Sequence, residues 1–420
     1  FFFYQLITFF LILISPLIII FRIFKKKEHI PRFKEKFCFF SKKRGGGKLV
    51  WFHGSSVGEI LSIMPLVEKL EKNKTIKKIL ITSSTLSSSM ILKKYKLKKT
   101  IHQFFPIDFI FFTNKFLNYW KPSVAIFIDS EIWPSMFLVL NKKLIPLILI
   151  NARITNKTFK RWTKISFFSK NVFNKISVAY PQNLETLKYL KKLKVNKIKF
   201  LGNLKFTESK NNQIETLNKL FLKKFKDRKI WCAASTHENE ELVCANVHLR
   251  LKNKHKKLLT IIIPRHISRT KEIMSKIETL GLRIVNRSSE EKITDKTDIY
   301  LVDTYGETNK FFKICKTVFL GGSLIKHGGQ NPIEAARMGS TILHGPYTDN
   351  FKDVYKLFRN KKISYKANNV NQLTKLVDKS IINSKNKKNK YLRIKKIGNN
   401  ILHKTIKKIY KIKKNENQKT

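Results

Sequence analysis

Two segments of the sequence put carboxylates where an apolar run ends. In His53-Gly54-Ser55-Ser56-Val57-Gly58-Glu59 the run Leu49–His53 reads as a strand, Gly58 permits a tight turn, and Glu59 falls in the first turn of a following helix. A carboxylate there can act as general base on a substrate hydroxyl. An acid in a first helical turn also complements the helix dipole, so spacing alone leaves both readings open. In Ile128-Asp129-Ser130-Glu131-Ile132-Trp133-Pro134 three polar groups follow an apolar strand end, as at the catalytic edge of an α/β sheet, and Pro134 suits the opening of a helix. The competing reading makes Ser130 an N-cap and Glu131 an ordinary first-turn acid. Gly202-Asn203-Leu204-Lys205-Phe206 adds a lysine able to stabilise negative charge on a phosphate or carboxylate, although a lone Lys in so basic a chain is more often solvated surface.

The second half carries groups suited to an anion. Pro264-Arg265-His266 ends a strand, and the Arg265 guanidinium suits bidentate pairing with phosphate or carboxylate. Asp303-Thr304-Tyr305-Gly306-Glu307 ends another strand and opens a helix. Gly321-Gly322-Ser323 is followed by His327-Gly328-Gly329-Gln330-Asn331-Pro332-Ile333-Glu334. Paired glycines let backbone N–H groups approach a phosphate, a helix starting near Asn331 aims its positive end there, and Glu334 is placed to accept from a ribose. A Gly-rich turn without a ligand is the plainer alternative.

Positioning these residues requires strands that run out at a common edge. Leu49–His53, Ile79–Ser83, Val124–Ile128 and Leu147–Ile150 read as buried parallel strands, with helices such as Ile60–Lys72 between them. A polar stretch, Asn203–Lys229, reads as a linker plus a helix. A second series follows in Ile230–Ala234, Leu258–Ile263, Ile299–Val302, Val318–Leu320 and Thr341–Leu343. Two βαβ series predict two doubly wound α/β domains with ligands at the carboxyl ends of the strands. Beyond about Asn383 the Lys/Asn-rich tail, with Ile and Leu at helical spacing, reads as a terminal helix with a frayed end.

The formal net charge of +58 invites a nucleic-acid reading. Yet Lys, Asn, Ile and Phe are abundant together, lysines are spread over almost every segment, and no DNA- or RNA-binding signature is present, so no nucleic-acid partner is expected. Compositional drift of the kind an AT-rich genome produces accounts for most of the charge, with attraction to an anionic membrane surface adding to it. Phe1–Ile20 is almost wholly apolar and Arg22, Lys25, Lys26 and Lys27 follow it at once, the pattern of a membrane-anchor helix with the remaining chain on the cytoplasmic side. Pro16 leaves room for an anchor lying partly in the interface. Four widely spaced cysteines give no disulfide or metal framework and are expected as buried free thiols. Gly45-Gly46-Gly47-Lys48 lacks the spacer and Ser/Thr of a Walker A loop, and there is no GxGxxG fingerprint.

With these residues in place, the whole chain resembles the 3-deoxy-D-manno-octulosonate (Kdo) transferases of lipopolysaccharide synthesis. The likeness runs through Ser56-Val57-Gly58-Glu59, Glu131-Ile132-Trp133-Pro134, Asn151-Ala152-Arg153, Gly202-Asn203-Leu204-Lys205-Phe206, Ala234-Ser235-Thr236-His237-Glu238, Pro264-Arg265-His266 and Gly328-Gly329-Gln330-Asn331-Pro332-Ile333-Glu334. Gly345-Pro346-Tyr347-Thr348 and Asn350-Phe351 close the series. The resemblance implies two facing Rossmann-like domains of the GT-B glycosyltransferase type after an N-terminal anchor. The expected boundaries are 1–24 for the anchor, 25–205 for an acceptor-binding domain, 206–384 for a CMP-sugar domain, and 385–420 for the terminal helix and basic tail. It implies an inverting transfer from CMP-Kdo to the lipid A precursor (lipid IVA) at the cytoplasmic face of a bacterial inner membrane, whose lipids are further partners. By similarity Glu59 is the general base, and Glu131 and Lys205 stabilise the transition state. Pro264, Arg265, Tyr305, Gly306, Glu307, Asn331, Pro332, Ile333 and Glu334 match CMP-binding positions. No metal or other cofactor is expected, since Arg265 and helix N-termini suffice to neutralise one phosphate. The family usually has His where Gln330 stands and Ala where Gly54 stands; the glycine is expected to loosen the loop carrying Glu59.

Overall fold

The computed structural model describes residues 1–209, 216–289, 291–382 and 387–416, with 411–416 described by backbone alone. The chain forms two compact units, Phe1–Asn212 with Gly398–Thr420, and Gln213–Ile397. A 23-residue helix, α1 (Phe2–Phe24), opens the first unit and is long and apolar enough to cross a membrane.

In the first unit β1 (Leu49–His53), β2 (Lys78–Ser83), β3 (Thr100–Phe104), β4 (Val124–Ile128), β5 (Leu147–Ala152) and β6 (Val178–Pro181) form one sheet in the order β3-β2-β1-β4-β5-β6. Every pairing is parallel. Strands β1, β4 and β5 are buried along their whole length, because helices cover both faces, which is why they read as continuous apolar runs. Trp51, Phe116, Trp120, Phe127 and Phe137 fill the core, each burial stabilising the fold by roughly 1.5–3 kcal/mol. The strand order reverses between β1 and β4, so a crevice opens at their carboxyl ends. Helix α2 (Val57–Glu71) rises directly from the end of β1.

The second unit holds β7 (Lys229–Thr236), β8 (Leu258–Pro264), β9 (Ile284–Asn286), β10 (Ile299–Leu301), β11 (Thr317–Leu320), β12 (Thr341–His344) and β13 (Ser364–Lys366). Their order is β13-β12-β11-β7-β8-β10-β9, again all parallel, and the reversal lies between β7 and β11. Trp231, Ile262, Phe319 and Leu343 lie in its core.

Four strands are absent from the sequence reading: β3, β6, β9 and β13. All four are sheet edges. Among its described residues the polar stretch 203–229 holds a 3₁₀ turn, Leu204–Phe206, and a five-residue helix, Lys219–Lys223; residues 210–215 lie outside the described residues. The helix Lys387–Glu416 passes from the second unit into the first at Gly398, and Tyr410 accepts a hydrogen bond from Asn73 Nδ2 at 2.7 Å. The frayed end expected after it falls on 417–420, outside the described residues. All four cysteines are buried free thiols.

Candidate active site

At the carboxyl ends of β1 and β4 a network of short contacts joins two carboxylates. Helix α2 opens with a capping box, in which Ser56 Oγ accepts from the Glu59 N–H at 3.3 Å and Glu59 Oε2 accepts from the Ser56 N–H at 3.4 Å. Glu59 Oε2 also accepts from the Ser55 N–H at 2.7 Å, and Ser55 Oγ donates to Glu131 Oε2 at 2.6 Å. One serine therefore bridges the two acids. Glu131 Oε2 further meets His53 Nε2 at 3.0 Å and accepts from Trp133 Nε1 at 2.9 Å. His53 is fully buried at the last position of β1, its Nδ1 3.0 Å from Thr82 Oγ1.

These surroundings push the two acids apart. Burial, then the neighbouring charges of Glu131 and Asp129, raise the Glu59 pKa against the opposing Ser56 and Ser55 hydrogen bonds. Burial acts on Glu131 in the same sense. There the hydrogen bonds and charge of His53, with the Ser55 and Trp133 hydrogen bonds, outweigh it and hold the carboxyl below its ordinary value. Two carboxyls with divergent proton affinities suit a division of labour, one exchanging a proton and the other staying ionised.

The alternative in which Ser130 caps a helix fails. The helix begins at Pro134 with Trp133 at the N-cap, and Ser130 Oγ instead donates to the Arg153 carbonyl at 2.8 Å. At Gly54, expected to loosen this loop, the N–H donates to Thr82 O at 3.2 Å, and Ser55 O accepts from Ser88 Oγ at 2.9 Å. Lys205 is drawn into the same edge, its ammonium 3.3 Å from Asp129 Oδ2. Asp129 and Asn151, at the ends of β4 and β5, both take left-handed backbone conformations (φ +53° and +50°), which Asp and Asn tolerate best among non-glycine residues. Asn151 Nδ2 donates to Asp129 Oδ1, and Asn151 Oδ1 accepts from the Leu204 N–H at 2.9 Å. Asn151 thereby fixes both the partner of Lys205 and the turn that carries it. No role was assigned to Asn151, His53 or Ser55 from sequence; their positions at strand ends beside the acids were the available signal.

In the second unit the ends of β7, β8 and β11 gather basic side chains. The ring centroids of His237 and His327 lie 4.2 Å apart, and those of His237 and His266 6.1 Å apart. Burial, then the charges of His327, His266, Arg265 and Arg269, push the His237 pKa down to about 4. Arg265 itself is exposed, as are Tyr305 and Glu334. Gly306 takes a positive φ of +84°. The Glu307 carboxylate is held by Arg287 at 3.0 and 3.2 Å and by Thr304 Oγ1 at 2.5 Å. Pro332 and Ile333 are buried, and Asn331 Oδ1 accepts from the Ile333 N–H at 3.1 Å. The helix expected near Asn331 is the five-residue segment Ile333–Arg337.

One expectation here is corrected. The first glycine pair does not leave its N–H groups for a phosphate: that of Gly321 donates to the Ala234 carbonyl at 2.9 Å, and that of Gly322 to a carboxylate of the chain. Glu240, 1% exposed, accepts from the N–H groups of Gly322 (2.6 Å), Ser323 (3.1 Å), Leu324 (3.0 Å) and His237 (3.0 Å). A Cβ at Gly321 would come within 2.4 Å of Ser235 O, so only glycine lets the loop sit this close. Gly322 O in turn accepts from the Gly329 N–H at 2.7 Å, joining the two glycine pairs. Among the described residues no group of three or more His, Cys, Asp or Glu side chains is placed to hold a metal ion.

Two doubly wound parallel sheets, each with a polar cluster at its reversal point, give the chain the GT-B fold. A structural neighbour with the same fold is the UDP-GlcNAc 2-epimerase of Neisseria meningitidis (TM-score 0.59, 13% identity, 87% of this chain and all of that one, 100%). Residues 31–208 match the family model described as 3-deoxy-D-manno-octulosonic-acid transferase (kdotransferase). The chain is 34% identical to the 3-deoxy-D-manno-octulosonic acid transferase of Rickettsia bellii strain RML369-C, over 84% of each protein. It is 36% identical to that of Rickettsia typhi strain ATCC VR-144 / Wilmington, over 80% of this chain and 72% of the relative. The chain belongs to the 3-deoxy-D-manno-octulosonic acid transferase family.

Proposed function

We propose that this protein transfers Kdo from CMP-Kdo to the lipid A precursor, with inversion at the anomeric carbon. The observation that carries the mechanism is the Ser55 bridge between two acids whose proton affinities diverge. In the proposed step an acceptor hydroxyl oxygen bonds to the anomeric carbon as the bond from that carbon to the CMP phosphate oxygen breaks. The bonding pair leaves with CMP, and the hydroxyl proton passes to Glu59. Burial and two neighbouring acids make Glu59 a better proton acceptor than an ordinary carboxylate. Glu131, kept ionised by His53, offsets positive charge in an oxocarbenium-like transition state, and Lys205 faces negative charge on the sugar acid or phosphate.

The donor's phosphate and carboxylate are assigned to the basic edge of the second unit, with Arg265 beside the three histidines, and its nucleoside to Pro264, Tyr305, Gly306 and the segment Asn331–Glu334. Glu307 acts there by holding its loop through Arg287 and Thr304. Helix α1 and its basic flank keep the acceptor unit on the cytoplasmic side of the inner membrane, beside its lipid substrate. The test is transfer from CMP-Kdo to purified lipid A precursor by the full chain in lipid vesicles. Formation of a Kdo-bearing lipid supports the reading. No product with CMP-Kdo but turnover of a different nucleotide sugar overturns it.

A further inference from the structure

Helix α1 has the length and composition of a membrane span, yet its contacts are those of a helix lying on the surface of its own α/β unit. We infer that α1 rests in the plane of the membrane interface and does not cross the bilayer. The inference builds on the membrane reading above and concerns only how the chain meets the lipid.

The start of α1 and the segment that follows its end are fastened to the same unit. Near its start Tyr4 Oη donates to Asp108 Oδ2 at 2.7 Å, Gln5 Nε2 donates to Ser135 Oγ at 2.7 Å, and Gln5 Oε1 accepts from the Ile110 N–H at 3.0 Å. The Tyr4 ring lies 5.9 Å from that of Phe168, and the Phe9 ring 6.3 Å from that of Phe109. At its other end Arg22 pairs with Glu28 at 2.9 Å. The segment that follows is tied to β3, where Arg32 donates to the His102 carbonyl at 2.8 Å and Glu35 accepts from the Phe104 N–H at 2.8 Å. Between the ends Thr8, Ser15 and Ile19 are buried. At spacings of seven and four they make one stripe of the helix. The Thr8 and Ser15 hydroxyls bond to carbonyls of their own helix, so the stripe presents no unpaired polar group to the body of the protein.

A helix of 23 residues is about 34 Å long, close to the hydrocarbon thickness of a bilayer at about 30 Å. If α1 crossed, everything packed beside Tyr4 and Gln5 would lie at the far side of the membrane from Arg22. That would carry the buried Asp108 carboxylate and the Ser135 hydroxyl through the bilayer. It would also carry Lys142 and Lys175, which line an apolar cavity of about 400 Å³ with Phe1, Phe167 and Phe168. Charged groups of a folded α/β unit do not enter hydrocarbon without a large cost. Laid flat, the helix instead turns its other face outward, where Leu6, Phe10, Leu13, Leu17 and Phe21 are all exposed. That face enters the interface while the lysines at one end and the basic flank at the other meet anionic headgroups.

The test uses the full chain with single cysteines at exposed positions along that face, Leu6→Cys, Leu13→Cys and Ile20→Cys. Each is labelled with an environment-sensitive fluorophore and bound to vesicles of zwitterionic and anionic phospholipid; the four native thiols are buried and escape labelling in the folded protein. Quenching is read from lipids carrying a nitroxide either near the headgroup or deep in the acyl chain. An in-plane helix gives the same shallow-to-deep quenching ratio at all three positions, within about two-fold. Several-fold stronger deep quenching at Leu13→Cys than at the other two overturns the inference. Absence of quenching at every position overturns it together with the membrane reading. Uniform shallow quenching in vesicles that transfer no Kdo leaves it standing and refutes the catalytic reading alone.

Discussion

Replacing Glu59 by Gln separates the two roles that its position allows. A capping box accepts Gln as well as Glu, so the amide oxygen can still receive the Ser55 and Ser56 N–H groups and helix α2 keeps its start. The substitution also removes a charge repelled by Glu131 and Asp129. The expected loss of stability is therefore below about 1 kcal/mol, whereas Glu59→Ala, which discards the cap, loses about 1 kcal/mol. Catalysis responds the other way. An amide cannot take the acceptor proton, and loss of a general base lowers the rate about 100- to 10,000-fold, or roughly 3–5 kcal/mol of barrier. The assay is kcat for Kdo transfer to purified lipid A precursor, with thermal unfolding and donor KM measured on the same preparations. The pH profile adds a second reading. The base works only when deprotonated, so wild-type kcat/KM falls as pH drops through the Glu59 pKa. Because burial and Glu131 raise that pKa, the limb lies above the ordinary carboxylate value of 4.5 and vanishes in the Gln variant. Near-wild-type transfer by Glu59→Gln would mean that the residue is a helix cap and nothing more.

Three further outcomes follow from the geometry. In Glu131→Gln a negative charge beside Glu59 disappears, so the acidic limb of kcat/KM shifts to lower pH while kcat falls; an unmoved limb would show that the two acids are not coupled. In Glu240→Gln the amide nitrogen faces N–H groups that a carboxylate oxygen received, each buried unpaired donor costing about 1–3 kcal/mol. A lowered melting temperature and a raised donor KM are expected, and an unchanged KM would detach this loop from donor binding. An anion arriving beside His237 raises its pKa from about 4, so donor binding takes up protons and tightens as pH falls from 7 toward 5. Calorimetry in buffers of different ionisation enthalpy measures that uptake, and a zero value would place the donor's charge elsewhere.

What the sequence disclosed, and what it hid, both follow from burial. Central strands covered on both faces, such as Trp51 and Phe52 in β1 or Ile126 and Phe127 in β4, had to be apolar throughout, and so they were legible. The edge strands carry Thr100, His102 and Gln103 in β3 or Ser364 and Lys366 in β13, with one flank unpaired, and nothing in their composition distinguishes them from loop. The first unit's acids were legible because a carboxylate directly after a buried strand is conspicuous in a chain with 28 acidic residues.

Glu240 shows the opposite case. It stands beside Glu238 and Glu241 in a run that looks like an ordinary acidic start to the helix Glu240–Lys252. Only the fold brings its carboxylate 82 positions along the chain to Gly322. A Gly-Gly-Ser loop at a strand end is the same signal whether its N–H groups await a phosphate or hold an internal acid, since both are anions of similar reach. The first glycine pair therefore marked a loop that holds an anion, and that anion is the Glu240 carboxylate. The consequence for the enzyme is that this loop is already set before any donor arrives: the Glu240 charge fixes Gly322, and the Gly322 carbonyl fixes Gly329, so the second glycine pair is held in place by a buried acid.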